Sequence, residues 1–238
     1  MRLQVSIKVN EIKIEEERMQ FVSLIKKALS VVDEEYFKSL YYFEGNKRNK
    51  KAKSFTFATY YRNYTIEEGI IKTNDDVRLI ISTNDNRFAI KLIQGLTIKK
   101  NYEYKESKML ITSVNVIQEK KVNNNVAIFK TLSAFALNNA NHRYIEINDD
   151  TFEDNLNYAM NILLKENCNR ELKQRLKFTN LGMKKVVVKE RVHDDLMYIN
   201  AWKGNFMLEG DKEDLNDIYV LGIGTRRSQG FGMIELIN

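Results

Sequence analysis

The chain has 238 residues, is 43% hydrophobic and 29% charged, and carries a net charge of +6 with one cysteine, two histidines and no proline. That length allows one large domain or two of roughly 100–120 residues, and the apolar share suits a packed core rather than a membrane protein. No apolar run approaches the roughly 18 residues of a membrane span, the single Cys168 excludes an internal disulfide framework and suits the cytosol, and the basic balance favours a polyanionic partner.

In chain order, residues 2–10 alternate apolar and polar side chains and predict a strand. A helix follows near 15–32, where Phe21, Val22, Ile25, Ala28, Leu29 and Val32 recur at the helical period, and a short helical segment runs about 34–42. The lysine-rich stretch from Gly45 to Lys53 reads as an exposed loop. Strand-like runs come at 54–62, 69–73 and 77–82. A helix from Asp85 ends at Gly95, and strands near 97–104 and 109–119 close this half. In the second half, 126–133 and 143–147 read as strands. Residues 150–167 form the clearest helix, with Phe152, Leu156, Ala159, Met160, Leu163 and Leu164 on one face. Strands at 183–192 and 196–208 make a hairpin around His193, a helix spans 211–220, and Phe231–Ile237 is a final strand.

Each half therefore shows a βαββαβ order, so the predicted fold class is α+β with tandem ferredoxin-like domains. The boundary is expected near 120–125, giving an N-terminal domain of 1–122 and a C-terminal domain of 123–238 that carries a glycine-rich loop.

That loop is the densest local signal. Gly222, Gly224, Gly230 and Gly232 form two Gly-x-Gly pairs in a chain with only ten glycines. Glycines accept positive φ and allow close approach, and successive backbone N–H groups attract anions. Arg226 and Arg227 lie between the pairs, where an arginine can fork onto a phosphate, with Ser228 and Gln229 as hydrogen-bonding neighbours. The order is helix, loop, strand, the reverse of nucleotide-binding loops, and there is no Gly-Lys-Ser/Thr. A tight turn whose glycines serve packing alone explains the spacing equally well. Metal chemistry has little support: His142 and His193 are far apart, and no Cys-x-x-Cys or His-Glu-x-x-His is present.

The stretch Gly222-Ile-Gly-Thr-Arg-Arg-Ser-Gln-Gly-Phe-Gly-Met233 resembles the C-terminal glycine-rich motif of the CRISPR-associated repeat-RNA endoribonucleases, the Cas-six type of the RAMP superfamily. Lys53-Ser-Phe-Thr-Phe57, Thr131-Leu-Ser133 and Ala201-Trp202 match in order and spacing, so the resemblance covers nearly the full length. It implies binding of the repeat in precursor CRISPR RNA and a single metal-independent cut. In that reaction the 2′-hydroxyl attacks the neighbouring phosphate and leaves a 2′,3′-cyclic phosphate, without a cofactor. It also implies a departure, because many members place a histidine upstream of the lysine motif. Here that position falls at Phe43, or near Lys47 when counted back from Lys53, and a tyrosine often found on the first helix falls at Lys26.

Lys53 matches the family lysine and is the first catalytic candidate, as a cation for the scissile phosphate. Lys26 and Tyr42 complete the candidate set, with Tyr41 beside them; either tyrosine can equally be packing. Gly222, Gly224, Arg226, Arg227, Ser228 and Gln229 are the RNA-binding candidates, joined by Lys47, Lys50 and Lys51 as backbone-phosphate contacts. A non-catalytic repeat-RNA-binding subunit of a CRISPR effector complex is the alternative. Effector subunits and a second copy of the chain stand as further partners.

Overall fold

The computed structural model describes residues 1–43, 49, 51–192 and 195–237. Its first half is built on strand β1 (Arg2–Val9), which alternates Leu3, Val5 and Ile7 into the core. Residues Ile12–Lys13 form β2, and a 3-10 turn at Ile14–Glu16 leads into helix α1 (Glu17–Val32). Helix α2 (Glu34–Tyr41) is started by Asp33, whose side chain accepts from the Tyr36 N–H. Then come β3 (Phe55–Tyr60), β4 (Tyr64–Glu67), β5 (Ile70–Thr73) and β6 (Val77–Thr83), helix α3 (Asn86–Ile98), β7 (Asn101–Tyr104) and β8 (Ser107–Ile117). The main sheet runs β3-β6-β1-β8-β7, with all neighbours antiparallel, while β2, β5 and β4 form a small separate sheet. Taking β1, β3, β6 and β8 as the four strands of the βαββαβ unit, their order is second, third, first, fourth.

The second half repeats this order. It consists of β9 (Val126–Thr131), α4 (Phe152–Cys168), β10 (Lys177–Asn180), β11 (Lys184–Val192), β12 (Asp195–Lys203), β13 (Asn205–Glu209), α5 (Lys212–Leu221) and β14 (Ile234–Leu236). Its sheet runs β10-β13-β9-β14, again second, third, first, fourth, while β11 and β12 pair only with each other. The tandem ferredoxin-like reading thus stands. Each half has its own apolar core: Phe21, Leu24, Ile25, Phe88 and Leu92 on Val5, Leu79 and Ile81 in the first, Leu156, Met160, Leu164 and Ile218 around Phe129 and Phe206 in the second. Among the described residues, no helix is long and apolar enough to cross a membrane.

Besides β4, which the sequence reading lacks, three elements differ from it in ways that shape the packing. Helix α3 does not stop at Gly95 but continues to Ile98. A Cβ at Gly95 would sit 2.0 Å from the Ala28 carbonyl oxygen, so this glycine lets α1 and α3 touch backbone to backbone rather than ending a helix. Residues 143–147 are not a strand and make only an isolated bridge between Asn138 and Tyr144; the second strand of that unit is β10, whose four residues carry too little alternation to be seen. The run 196–208 breaks at Gly204, which separates hairpin strand β12 from sheet strand β13.

The two halves are clasped by buried polar contacts. The Arg2 guanidinium, 2% exposed, donates to Glu235 Oε2 at 2.5 Å and to the Ile234 carbonyl at 2.9 Å, and lies 4.3 Å from the centre of the Tyr219 ring. Thr56 Oγ1 donates to the Phe231 carbonyl at 2.9 Å, and Ser133 Oγ to the Phe57 carbonyl at 3.2 Å.

Candidate RNA-processing site

The glycine-rich loop fills the seam between the halves. The Ile223 N–H donates to the Gly232 carbonyl and the Thr225 N–H to the Ala136 carbonyl, each at 2.8 Å. A Cβ at Gly232 would lie 1.9 Å from the Ile223 oxygen, and one at Gly224 would lie 2.4 Å from the Ala136 oxygen, both at positive φ. Here glycine is demanded by the protein's own backbone, as the packing-turn reading of the spacing has it. Gly222 and Gly224 are buried and face the chain itself. Gly230 closes against the Phe57 ring, so the loop rests on the Lys53–Phe57 segment.

The two loop arginines part company. Arg227 is 6% exposed and departs from the expectation of a phosphate contact. It donates to the Leu221 carbonyl at 2.6 Å and to the Lys53 carbonyl at 3.1 Å. Burial pulls its pKa down to about 9, opposed by the negative charge of Glu166. Arg226 takes a left-handed backbone at φ 56° and is partly exposed; it donates to Gln229 Oε1 at 3.0 Å and stands 3.6 Å from Glu190 Oε2. Ser228 and Gln229 are also partly exposed, so Arg226, Ser228 and Gln229 form the outward part of the loop. Glu190 is 2% exposed, and burial raises its carboxyl pKa against the opposing charges of Arg226 and Arg18. Arg18 in turn donates to the Gly230 carbonyl at 3.4 Å and lies 4.6 Å from the centre of the Phe231 ring.

The lysine candidates do come together. The Lys26 ammonium lies 4.8 Å and the Lys53 ammonium 5.8 Å from the centre of one ring, and that ring is Tyr41. Tyr42, the named candidate, is 39% exposed at the end of α2 and packs edge-on against Phe37. The last turn of α2 directs Tyr41 inward and its neighbour outward, so Tyr41 takes the place expected for Tyr42. Burial pushes the Tyr41 phenol well above its usual range. Lys53 donates to the Asn49 and Lys51 carbonyls, each at 2.9 Å. Desolvation lowers its pKa below the ordinary 10.5; Glu166 opposes this, and the nearby charges of Lys26 and Lys51 add to it. Lys51 is exposed on this rim, while Lys47, Lys50 and His193 lie outside the described residues. His142 occupies an exposed turn at φ 59°.

Sequence reasoning missed the contribution of the second half. A polar concavity beside Lys53 is lined by Asn49, Lys51 and Asn84 from the first half and by Glu166 and Asn167 from the end of α4. The Glu166 carboxylate accepts from the Ala52 N–H, and Asn84 Nδ2 donates to the Asn167 carbonyl at 3.2 Å. No local signal marks the end of α4 as part of a site 113 positions away in sequence from Lys53.

Two βαββαβ units packed through a glycine-rich C-terminal loop, with a basic cluster around Tyr41 and Lys53, define a tandem ferredoxin-like architecture. The family described as CRISPR associated protein Cas6, C-terminal, matches residues 117–236, just over half of the chain, and the chain belongs to that family. It is 23% identical over 181 residues to a CRISPR-associated endoribonuclease-like protein Cas6 of Pyrococcus furiosus, covering 72% of each. Among solved structures, a RAMP protein described as binding different RNA substrates superposes with a TM-score of 0.84 at 22% identity, over all of both chains. A Cas6-related gene product from Pyrococcus furiosus superposes with a TM-score of 0.82 at 20% identity, over 100% of this chain and 98% of that one.

Proposed function

We propose that the protein binds the repeat of precursor CRISPR RNA and cleaves it without a metal ion, by 2′-hydroxyl attack that leaves a 2′,3′-cyclic phosphate. The observation that carries this reading is the convergence of Lys26 and Lys53 on the Tyr41 ring, with Lys53 itself lining a concavity between the halves. Membership of the Cas6 family supports it, as does the endoribonuclease-like name of the Pyrococcus relative. We take residues 1–122 as the unit that supplies the reacting lysines and residues 123–238 as the unit that supports them.

The chemistry follows from the charges. The 2′-hydroxyl gives up its proton to solvent as its oxygen attacks in line, negative charge builds on the scissile phosphate's oxygens, and the Lys53 ammonium stabilises it; Lys26 adds a second positive charge. With a pKa lowered by desolvation below the ordinary 10.5, the Lys53 ammonium becomes a better proton donor to the departing 5′-oxygen than an ordinary lysine. Arg226, Ser228 and Gln229 hold the RNA backbone along the outer loop, and Lys51 meets it at the rim.

The test is incubation with matched repeat RNA in EDTA. Cleavage is expected with a cyclic phosphate end, and a 2′-deoxy nucleotide before the cut is expected to stop it while sparing binding. A requirement for added Mg²⁺, or cutting that survives the deoxy substitution, refutes the mechanism. One observation favours a second reading as a non-catalytic repeat-binding subunit: the Lys53 ammonium is hydrogen-bonded to two carbonyls of its own loop. Tight repeat binding with no cleavage would establish that alternative.

A further inference from the structure

Four backbone groups of residues 52–54 are held by side chains of other elements. Glu166 of α4 accepts from the Ala52 N–H, and Asn167 Nδ2 donates to the Ala52 carbonyl at 3.4 Å. The buried Arg227 fork donates to the Lys53 carbonyl at 3.1 Å while its other arm holds Leu221 at the end of α5. Thr83 Oγ1 of β6 donates to the Ser54 carbonyl at 2.7 Å. Only the Thr83 contact comes from the half that carries Lys53. The charges follow the same pattern, since the Glu166 carboxylate favours the protonated form of both Lys53 and Arg227.

We propose that Arg227 and Glu166 are positioning residues for the reaction: from the second domain they hold the Ala52–Lys53 backbone and so aim the Lys53 ammonium at the scissile phosphate. This rests on the reading of Lys53 as catalytic. The physical reason is reach. A lysine has a flexible four-carbon stem, and its direction is set by the backbone that carries it. Lys53 stands where a loop becomes β3, and a loop end without a sheet partner has little to fix its carbonyls. Arg227 supplies a rigid planar fork there, and a fork held at both ends transmits the position of α5 to Lys53. The glycines that let the loop pack so closely are what bring this guanidinium under Lys53. The charged and titratable groups facing Lys53 are Lys26 of α1, the Tyr41 phenol of α2, Lys51 of its own loop and Glu166 of α4. Of these Glu166 is the sole negative one among the described residues.

The experiment compares Arg227→Lys, Glu166→Gln and Lys53→Ala in the full chain. Arg227→Lys keeps the charge and one donor arm but cannot span both carbonyls. It is expected to slow single-turnover cleavage at saturating enzyme by about 10-fold, with repeat affinity within about twofold of wild type. Glu166→Gln keeps an acceptor for the Ala52 N–H and loses the charge. Removing a negative charge beside an ammonium lowers its pKa, so the alkaline limb of kcat/KM is expected to move to lower pH, by about half a unit at low salt. The Lys53 ¹³Cε titration, identified by its loss in Lys53→Arg, is expected to move the same way. In the Lys53→Ala background neither substitution should slow the reaction further.

Wild-type rate in Arg227→Lys, an unmoved Lys53 titration in Glu166→Gln, or losses that multiply with Lys53→Ala would overturn the proposal. A merely structural role would lower affinity and melting temperature together and leave the pH limb in place. If Lys53→Ala cleaves at the wild-type rate, or the wild type does not cleave, the catalytic reading fails; the titration still decides whether Glu166 sets the Lys53 charge.

Discussion

Arg226 and Arg227 are adjacent and chemically identical, yet their surroundings predict opposite results from the same substitution. Arg227→Ala removes two hydrogen bonds, a buried one to the Leu221 carbonyl and a partly buried one to the Lys53 carbonyl. A buried acceptor left bare costs about 1–3 kcal/mol, and the Lys53 carbonyl, which water can reach, adds less, so the loss is expected at about 2–4 kcal/mol. That is a large share of the roughly 5–15 kcal/mol that keeps a protein folded. Because Arg227 is 6% exposed, the folded fraction is expected to bind repeat RNA with the wild-type salt dependence. Arg226→Ala leaves the fold in place but removes a cation from the surface. Each phosphate contact contributes roughly 0.7 to the log–log salt slope on single-stranded RNA, and the slope should fall by that amount. Its stability cost is expected to be smaller than that of Arg227→Ala, because at 3.6 Å from Glu190 Oε2 the Arg226 guanidinium makes a charge contact rather than a hydrogen bond. The assays are urea denaturation for stability and fluorescence anisotropy with labelled repeat RNA between 50 and 200 mM salt for the slope, the range over which phosphate contacts are read. An Arg227→Ala protein of wild-type stability, or an Arg226→Ala protein with an unchanged slope, would refute the division of labour argued from burial.

Two further outcomes follow from the packing. Gly95→Ala places a methyl group 2.0 Å from the Ala28 carbonyl oxygen and should force α1 and α3 apart, at about 1–3 kcal/mol in urea denaturation. A wild-type midpoint would show that the helices do not touch there. Glu190 has a folded-state pKa raised above its ordinary 4.5 by burial, so the native state binds this proton more tightly than the unfolded chain. Its stabilising protonation is therefore fully present below about 4.5 and lost as pH rises through the folded pKa. Glu190→Gln should flatten the stability curve over that window, and a curve that keeps its wild-type slope there would place the titration on another group.

The period-2 and period-3.6 patterns were enough to order the elements, because β1, β6, α1 and α4 each bury a continuous face. They failed where burial is not periodic. Strand β10 has one partly buried and three exposed residues, so it carries no alternation to read. Gly95 reads as a stop signal in the sequence because the neighbour that demands it, Ala28, lies 67 positions away. The same limit governs the site. Lys26 and Lys53 could be singled out by matching motifs, but whether Tyr41 or Tyr42 stands behind them depends on the rotation of one helical turn. The glycines of the loop were legible as a demand for close approach, though not as to what approaches: the nearest atoms prove to be the carbonyls of Ala136 and Ile223. Glu166 was invisible, since its place beside Ala52 arises only when α4 docks across the seam.

That seam also sets an order of assembly. The hydrogen bonds joining Lys53 to Arg227 and Thr56 to Phe231 close spans of 174 and 175 residues. Contacts so distant in sequence form late, after each local core has condensed, and a domain made first can fold before the rest has been synthesised. The first βαββαβ unit can thus bury Phe21 and Val5 while its lysine remains unaimed. Only when a growing chain has delivered residue 227 can the guanidinium slide beneath the loop. A ribosome-bound or truncated product would possess the lysine and lack its alignment. On the proposed reading of Lys53, competence is acquired at the final step of folding, as a latch closing on a site otherwise in place.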